Sequence, residues 1–593
     1  MGTEMALQHL CCSFNTPYSR TIVSAKTQST RIDTNNKLAK ALQVRSSGVT
    51  GTPATVTGKR RKANYQPRSW DYQSLQCQST EINCQDEKDV VKLKEAVNHL
   101  LYKETKLEDK LELIDALQRL GLSYQFEEEI KIILGSISIK NVSTDPNSLH
   151  ATALLFRLLR ENGFQISQEI FNGFKDEKGF FKECLCEDAQ GMLSLYEASQ
   201  LMFRREATLD DARSFTTKHL NDIEALQAYT NVHLKERVER ALELPLHWRT
   251  PRFDIRWYIE QHDSDMSIQP VLQLAKHDFK KVQILHRREL QRMVRWWEDL
   301  HLAEQLPFVR DRLVECYFYA AGVVSNPNLG YCREGVAKVC NLITTLDDVY
   351  DINGFSDELV QLTNAVNRWE VSAVEGLPEY MKTSYSALYD TTNELARNIL
   401  QNDGWDPSLY LKKAWADLCN SFLVEAKWHY SGYVPTIQEY LDNGWISVSG
   451  HVVLLHAFFL SRECITKEMV QCLETYPTFV RSSSTIFRLC NDLGTSAAEI
   501  ERGDAPTSIQ CYMHEYGVTE EVAREGIKVL IDETWKKLNE DVANCGVFPR
   551  SLANLAIDLA RISYCTYRNG DGIGAPDKEI KNDISSTFFK PMK

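Results

Sequence analysis

Ten consecutive residues near the middle of the chain, 342–351, place three acidic side chains at the end of an apolar helical stripe. The apolar positions follow the i, i+3, i+4, i+7 spacing of a buried helix face, and they are Val339, Leu342, Ile343 and Leu346. Asp347, Asp348 and Asp351 come directly after them. Residues four apart stack on one helix face, so Asp347 and Asp351 are neighbours there. The ordinary interpretation is a solvated acidic helix end. The alternative is a magnesium site, because Mg²⁺ binds clustered carboxylate oxygens.

The length and composition of the chain restrict the other possibilities. A chain of 593 residues exceeds what one core usually supports, so we expect two domains. Helical spacing recurs from about residue 89 onward, and we find no alternating strand pattern of useful length. The sequence therefore predicts an all-α protein with helical domains at 59–265 and 266–593. The net charge of -13 argues against a nucleic-acid partner.

The cysteines and the apolar runs point to no further class of protein. Sixteen cysteines lack paired zinc spacing, and Cys184 and Cys186 are too close together for a zinc knuckle. We expect most of them to be reduced and buried. The apolar run from Val452 to Leu460 is interrupted by His456 and is too short for a membrane span, so we expect none.

Residues 1–58 differ in composition from the rest of the chain. They are rich in serine and threonine, carry several basic residues, and contain only Glu4 and Asp33 as acids. They also lack the apolar core of a secretory signal. This composition is typical of an organelle transit peptide and predicts import into the plastid stroma. A disordered tail is the alternative.

A second polar set lies about 140 residues after the aspartates. Asn491, Thr495 and Glu499 recur every fourth residue and so share one helix face. Their amide, hydroxyl and carboxylate oxygens are suited to Mg²⁺, although the outer face of an ordinary helix would look similar. Arg488 stands about one turn earlier, where its guanidinium group could bind a phosphate bidentately.

Together the two oxygen-rich helix faces and the arginines predict a cavity that binds Mg²⁺ and a diphosphate. The chain has neither a P-loop nor a glycine-rich dinucleotide fingerprint. An aromatic run at 317–319 offers a wall against which a cation can be stabilised. These features suit metal-assisted loss of diphosphate followed by steering of a carbocation.

The chain resembles the plant terpene synthases, and among them the angiosperm monoterpene synthases, from Arg60 to its C-terminus. Four motifs carry the resemblance in order: Arg60-Arg61-x8-Trp70, Arg310-x-Arg312, Asp347-Asp348-x-x-Asp351 and Asn491-Asp492-x-x-Thr495-x-x-x-Glu499. The resemblance implies an N-terminal α-barrel-like domain and a C-terminal class I isoprenoid synthase fold. It also implies geranyl diphosphate as the substrate and a monomer or weak homodimer.

The same resemblance implies roles for individual residues. Three Mg²⁺ ions, or Mn²⁺, would be held by Asp347, Asp351, Asn491, Thr495 and Glu499. The departing diphosphate would be held by Arg310, Arg312 and Arg488. The cavity wall would include Tyr319 and Tyr567, and an N-terminal lid would include Arg60, Arg61 and Trp70. We expect Asp348 to support the metal ligands indirectly, through an arginine.

Several positions depart from the common pattern of that family. Thr507 stands where lysine is usual, and Tyr319 where tryptophan is frequent. Asn353 replaces a usual tyrosine, and the segment around Asn569 lacks two common histidines. Two further departures remain. Cys340, seven positions before Asp347, is a small residue, and His451 is a histidine in an unusual place. We interpret His451 as a hydrogen-bonded helix residue.

The leading hypothesis is therefore a plastid monoterpene synthase. A cyclic product, such as limonene, terpineol or cineole, and an acyclic one, such as linalool, myrcene or ocimene, both stay open. The alternatives are an isoprene or sesquiterpene synthase, and a catalytically weakened protein that only binds isoprenoid diphosphate.

Overall fold

A computed structural model describes residues 60, 65–77, 84–103, 106–139, 148–222, 232–262 and 266–592. The chain divides by its internal contacts into residues 1–61 and 62–593. Only residue 60 of the first unit is described, so the predicted leader at 1–58 and Arg61 lie outside the described residues. The predicted domain boundary at 265/266 adjoins residues 263–265, which also lie outside them, and it stays a prediction.

Helices account for most of residues 62–593. Those before residue 265 are α1 (Tyr72–Gln76), α2 (Cys84–Lys103), α3 (Leu107–Arg119), α4 (Glu127–Ile139), α5 (Leu149–Glu161), α6 (Ala189–Ser199), α7 (Ala207–Leu220), α8 (Val232–Glu243) and α9 (Pro251–His262). Next come α10 (Gln269–Leu300), α11 (Leu302–Gln305), α12 (Leu313–Val323), α13 (Gly330–Asp348), α14 (Ser356–Arg368), α15 (Glu379–Asp403), α16 (Ser408–Ser431), α17 (Ile437–Ser447) and α18 (Gly450–Leu460). The last are α19 (Lys467–Leu473), α20 (Thr478–Arg502), α21 (Ser508–Tyr516), α22 (Glu520–Ala543), α23 (Arg550–Tyr567) and α24 (Lys578–Phe588).

The prediction of an all-α protein is confirmed. Within the described ranges the only β-pairing is an isolated bridge between Lys175 and Phe181. The apolar residues Leu111, Ile114 and Leu117 of α3 keep helical spacing and are fully enclosed. Gly121 follows this helix with φ +69°, a conformation that favours glycine and ends the helix.

The helices of the second half enclose the cavity that holds both acidic motifs. Helix α13 packs against α12 and α18, and α20 packs against α17, α22 and α23. Gly494 allows the last of these contacts, because a Cβ atom there would lie 2.6 Å from the carbonyl oxygen of Tyr567. The motifs on α13 and α20 are thus held by direct helix packing.

The helical path is interrupted between α17 and α18, at Ser449 and Gly450. Ser449 adopts φ +70°, and α18 begins at Gly450, where a Cβ atom would approach Ser484 Oγ to 2.4 Å. By length and apolarity the segment Ile437–Leu460 could cross a membrane, but 83% of its most apolar window is buried inside the protein. We interpret α17 and α18 as core helices.

A buried ion pair joins three helices beside the cavity. Arg333 of α13 donates from Nε and Nη2 to the two carboxylate oxygens of Glu289 on α10, both at 2.8 Å. Tyr317 of α12 donates to the same carboxylate at 2.7 Å. Both charged side chains are almost fully excluded from solvent. A buried charge that loses its partner is costly, so this pair fixes the packing of α10, α12 and α13.

We predict that Arg333→Met lowers the free energy of unfolding by about 3–5 kcal/mol, because it leaves the Glu289 carboxylate buried without its cation. The matched control is Arg292→Gln, which removes a solvent-exposed pair with Glu334 between the same two helices, α10 and α13. The control should cost at most about 1 kcal/mol. Urea unfolding followed by circular dichroism measures both, and equal losses in the two variants would contradict the prediction.

Candidate active site

A large cavity lies between α12, α13, α16–α18, α20 and α23. It has an empty volume of about 1220 Å³ and is open to solvent. Its charged lining consists of six acids and three arginines: Asp347, Asp351, Glu425, Glu499, Asp504, Asp571, Arg310, Arg488 and Arg502. This excess of carboxylates suits bound cations, and the arginines suit an anion held beside them.

The first acidic motif brings two aspartates to the cavity and directs the third away from it. Helix α13 ends at Asp348 and continues as a π-helical turn, Val349–Asn353, which carries Asp351. Asp347 and Asp351 line the cavity. Asp348 is fully buried and pairs with Arg310, accepting from the Arg310 backbone N–H at 2.8 Å and lying 3.0 Å from its Nε. This is the indirect, arginine-linked position expected for Asp348.

The second motif repeats this arrangement on α20. Asp492 is fully buried and lies 2.8 Å from Nε of Arg488. It also accepts hydrogen bonds from the Tyr440 hydroxyl at 2.8 Å and the Ser508 backbone N–H at 2.9 Å. Arg488 reaches the cavity and donates to the side-chain oxygen of Asn491. In both motifs a buried aspartate therefore orients an arginine toward the cavity.

The three residues of α20 that are predicted as metal ligands face one cavity, and their role as ligands stays a prediction. Asn491, Thr495 and Glu499 all line the cavity. The Thr495 hydroxyl donates to the Asn491 carbonyl at 2.9 Å, which leaves its oxygen lone pairs available. Burial raises the pKa of Glu499 to about 7, and the nearby Arg488 opposes this rise. Glu425 of α16, which the sequence did not single out, faces the same region and accepts from Ser447 at 2.5 Å.

The donor set fits hard divalent cations. Asp347 and Asp351 offer carboxylates on one side, and Asn491, Thr495 and Glu499 offer amide, hydroxyl and carboxylate oxygens from α20. All five donors are oxygens, as Mg²⁺ and Mn²⁺ prefer. The side chain of Asp347 remains 34% exposed, whereas Asp348 beside it is sealed. The two aspartates are therefore distinguished by access to the cavity.

The cavity also has an aromatic wall. The ring of Phe487 lies 5.5 Å from that of Tyr319 and 6.0 Å from that of Tyr567. The Tyr319 hydroxyl is hydrogen bonded to Ser563 Oγ at 2.8 Å. Cys340 and Ser449 complete this part of the lining. The structure thus brings together the wall residues expected from the sequence.

Arg312 departs from the expected contact with the leaving group. It is buried, and it does not line the cavity. Its guanidinium group donates to the carbonyl oxygens of Gln66 at 2.6 Å, Asp311 at 2.9 Å and Gly574 at 3.0 Å. These carbonyls occupy its donors, so Arg312 fastens the segment containing residue 66 to the loop containing residue 574.

The segment 65–77 covers this side of the cavity, but not through the residue predicted. Trp70 donates to Glu315 at 3.2 Å and packs against Phe589, outside the cavity lining. Tyr65 instead lines the cavity, with its ring centre 5.0 Å from the Arg310 guanidinium carbon. Arg61 lies outside the described residues, and Arg60 belongs to the other unit. Their predicted part in the lid stays a prediction.

Sequence reasoning missed several polar residues of the cavity besides Glu425, among them Tyr65, Asp571 and Arg502. Tyr65 and Asp571 are single polar residues in loops, without a neighbouring motif. Asp571 accepts from the backbone N–H of Gly574 at 2.7 Å, which shapes the loop that Arg312 holds. Arg502 lines the cavity near Thr507, the position where a lysine was expected. Its Nε donates to Asp504 at 2.8 Å.

The other departures lie outside the cavity lining. Asn353 ends the π-helical turn, and Asn569 donates to Glu579 at 2.6 Å. His451 is fully buried and donates from Nε2 to the Ala414 carbonyl at 3.1 Å. The interpretation of His451 as a hydrogen-bonded helix residue therefore agrees with the structure.

Comparison with protein families gives two matches that together cover more than half of the chain. Residues 298–537 match the terpene synthase family, metal binding domain, and residues 68–242 match the terpene synthase, N-terminal domain. Among curated relatives, (-)-alpha-terpineol synthase of Vitis vinifera is 47% identical over 90% of this chain and 91% of its own length. Chloroplastic myrcene synthase of Quercus ilex is 44% identical over 97% of both chains.

Solved structures agree with these matches. A limonene synthase with 2-fluorolinalyl diphosphate superimposes with a TM-score of 0.87 at 39% identity, covering 90% of this chain and 100% of the other. Isoprene synthase from grey poplar (Populus x canescens), in complex with three Mg²⁺ ions and dimethylallyl-S-thiolodiphosphate, gives a TM-score of 0.81 at 42% identity. That match covers 89% of this chain and 99% of the other.

We predict that His451 makes the stability of the protein depend on pH between about 6.5 and 4. Burial lowers the pKa of His451 to about 4, while hydrogen bonding to Ala414 opposes this. Protonation then favours the unfolded chain, so stability falls as pH drops from the unfolded value toward the folded one, by up to roughly 3 kcal/mol.

Replacing His451 with Gln should flatten this fall, measured as the urea midpoint at a series of pH values. His514→Gln is the matched control, because this residue is exposed on α21. A His451→Gln variant whose midpoint falls as steeply as that of the parent protein would contradict the assignment.

Proposed function

Since this chain belongs to the terpene synthase family, we propose that it is a monoterpene synthase that removes diphosphate from geranyl diphosphate and directs the carbocation to a monoterpene. The observation that carries this proposal is that a single cavity combines oxygen ligands and arginines with aromatic rings. Such a cavity can hold a charged leaving group and an apolar chain at the same time.

The metal ligands in this proposal are Asp347, Asp351, Asn491, Thr495 and Glu499. They would hold three Mg²⁺ ions, or Mn²⁺, and these ions would stabilise the charge that develops on the departing diphosphate. The family is metal-dependent by the description of its matched domain. Metal binding requires Glu499 to be deprotonated. Because its pKa is about 7, a substantial fraction of this carboxyl group is deprotonated at neutral pH.

Two arginines would contact the diphosphate directly. Arg310 and Arg488 line the cavity. Arg310 forms an ion pair with the buried Asp348, and Arg488 forms one with the buried Asp492. A guanidinium group offers several N–H donors, so one paired with a buried aspartate can still donate to a phosphate. Arg502 supplies a further positive charge near Thr507 and can replace the expected lysine contact. Arg312 supports them by fastening the chain segments around the cavity.

The aromatic wall would stabilise the carbocation. Tyr319, Phe487 and Tyr567 present rings whose faces attract a cation within about 6 Å. Tyr65 and the segment that carries it would limit the entry of water, which otherwise quenches the cation. Both cyclic and acyclic products remain compatible with this wall.

The alternative of an isoprene synthase has one observation in its favour, since the large aromatic side chain of Phe487 lines the cavity. Cys340, however, is small and lies in the same lining. The cavity is therefore wider at Cys340 than it would be with a second large residue at that position. This favours a ten-carbon substrate over a five-carbon one.

The proposal includes a location and an assembly state. Curated relatives are named chloroplastic, and the composition of residues 1–58 fits a transit peptide. We therefore propose the plastid stroma as the site of action, with the protein as a monomer or weak homodimer.

We predict that Asp347→Ala lowers turnover of geranyl diphosphate by at least about a hundredfold, because it removes a metal ligand from the cavity. Asp357→Ala is the matched control, since this aspartate lies exposed at the start of α14. The assay uses the chain without its predicted leader and offers geranyl, farnesyl and dimethylallyl diphosphates, with products separated by chiral gas chromatography. Turnover of farnesyl diphosphate alone would refute a monoterpene synthase. Turnover of dimethylallyl diphosphate alone would establish the isoprene alternative, and no turnover would indicate a binding protein.

We predict that Tyr65→Ala raises the share of alcohols among the products, because it opens the cavity to water next to Arg310. Ser69→Ala is the control, as Ser69 is exposed in the same segment. The measurement is the ratio of terpene alcohol to hydrocarbon at equal conversion. An unchanged ratio with unchanged kcat/KM would show that Tyr65 does not exclude water.

A further inference from the structure

Three side chains with different donor atoms converge in the first half of the chain, outside the cavity described above. Glu183 and Cys186 lie three residues apart on the 3₁₀-helix Glu183–Glu187, so they share one face. His219 reaches them from the last turn of α7. The Cys186 Sγ and the His219 Nε2 lie 4.0 Å and 3.8 Å from Glu183 Oε2, and all three donor atoms lie within 4.8 Å of one another.

The imidazole of His219 has an unsatisfied ring nitrogen directed at this cluster. Its Nε2 is buried and forms no hydrogen bond among the described residues. The ring is held in place by Phe215, with ring centres 4.8 Å apart. A buried polar atom without a partner is costly and calls for an explanation. A cation that accepts the lone pair of Nε2 would supply that partner.

We propose that Glu183, Cys186 and His219 form a binding site for Zn²⁺. A thiolate, an imidazole and a carboxylate are the ligands that Zn²⁺ takes, at about 2.3 Å from sulfur and 2.0–2.2 Å from nitrogen and oxygen. In tetrahedral geometry at these bond lengths two ligand atoms lie roughly 3.4–3.6 Å apart, so each separation from Glu183 must shorten by about half an ångström. The sulfur–nitrogen separation, which is at most 4.8 Å, must shorten by up to about 1.2 Å. The fourth tetrahedral position is left for a water molecule, because Glu183 is largely exposed. Mg²⁺ is disfavoured here, since it prefers oxygen ligands.

Zn²⁺ binding at this site releases a proton. The Cys186 thiol loses its proton to solvent as the sulfur–zinc bond forms, so one proton is released for each ion bound. Burial and Glu183 raise the pKa of this thiol, whereas Lys218 lowers it. The ion would also tie the 3₁₀-helix to α7 and so stabilise the folded chain in proportion to its free concentration.

The test titrates Zn²⁺ into the full-length chain under reducing conditions, with excess Mg²⁺ present to occupy the oxygen ligands of the active site. We expect about one zinc ion per chain from this site, and Co²⁺ bound in its place should show thiolate charge-transfer absorption. Cys186→Ser and His219→Gln should each weaken binding by at least about tenfold. The matched control is Cys184→Ser, which changes an exposed cysteine two residues away and should leave binding unchanged.

Three outcomes would overturn the proposal. These are equal binding by the Cys186→Ser variant and the parent chain, an equal loss in Cys184→Ser, and no Zn²⁺ binding by the parent chain at millimolar concentration. Circular dichroism and turnover of a prenyl diphosphate verify that each variant is folded, because neither Cys186 nor His219 lines the cavity. Glu183→Gln provides a third variant that leaves the apolar packing around Phe215 intact.

Discussion

Two buried aspartate–arginine pairs determine the form of the active-site cavity. Asp348 holds Arg310, and Asp492 holds Arg488, with both aspartates fully excluded from solvent. Removing such charges from water is unfavourable unless each finds its partner, so the backbone on both sides must bring the partners together. Each aspartate directly follows a predicted metal ligand, Asp347 or Asn491. The pairing that orients an arginine therefore also fixes the neighbouring ligand on its helix.

The stretch 310–312 links these pairs to the chain segments that cover the cavity. Arg310 faces the cavity, Asp311 turns outward to accept from Trp297 at 3.0 Å, and Arg312 binds the carbonyls of Gln66 and Gly574. The side chains of these three successive residues thus contact three different parts of the protein. One consequence is that the covering segment near residue 65 and the loop near residue 574 are joined through a single guanidinium group.

The sequence predicted the parts of the site that helical periodicity places together, and it missed the parts that only tertiary packing assembles. Asn491, Thr495 and Glu499 share a face because they are four residues apart on one helix, which is visible without a structure. Tyr65 and Glu425 reach the same cavity from distant segments, as single polar residues with no local pattern. In the sequence Arg312 looked equivalent to Arg310. In the structure the side chain of Arg310 lines the cavity, whereas that of Arg312, two residues later, binds backbone carbonyls. Cys186 was dismissed on its spacing from Cys184, whereas its neighbours in space are Glu183 and His219.

The polar and aromatic parts of the cavity divide the chemistry between them. In the proposed reaction the carboxylates and arginines hold the metal ions and the departing diphosphate, so they do not decide the fate of the cation. That decision belongs to the shape of the wall around Tyr319, Phe487 and Cys340. The hydroxyl of Tyr319 is hydrogen bonded to Ser563, and the rings of Tyr319 and Tyr567 both lie against that of Phe487. Phe487 belongs to α20, the helix that also carries the predicted ligand Asn491. A change in how α20 is held would consequently alter both the predicted ligand face and the surface that the cation meets.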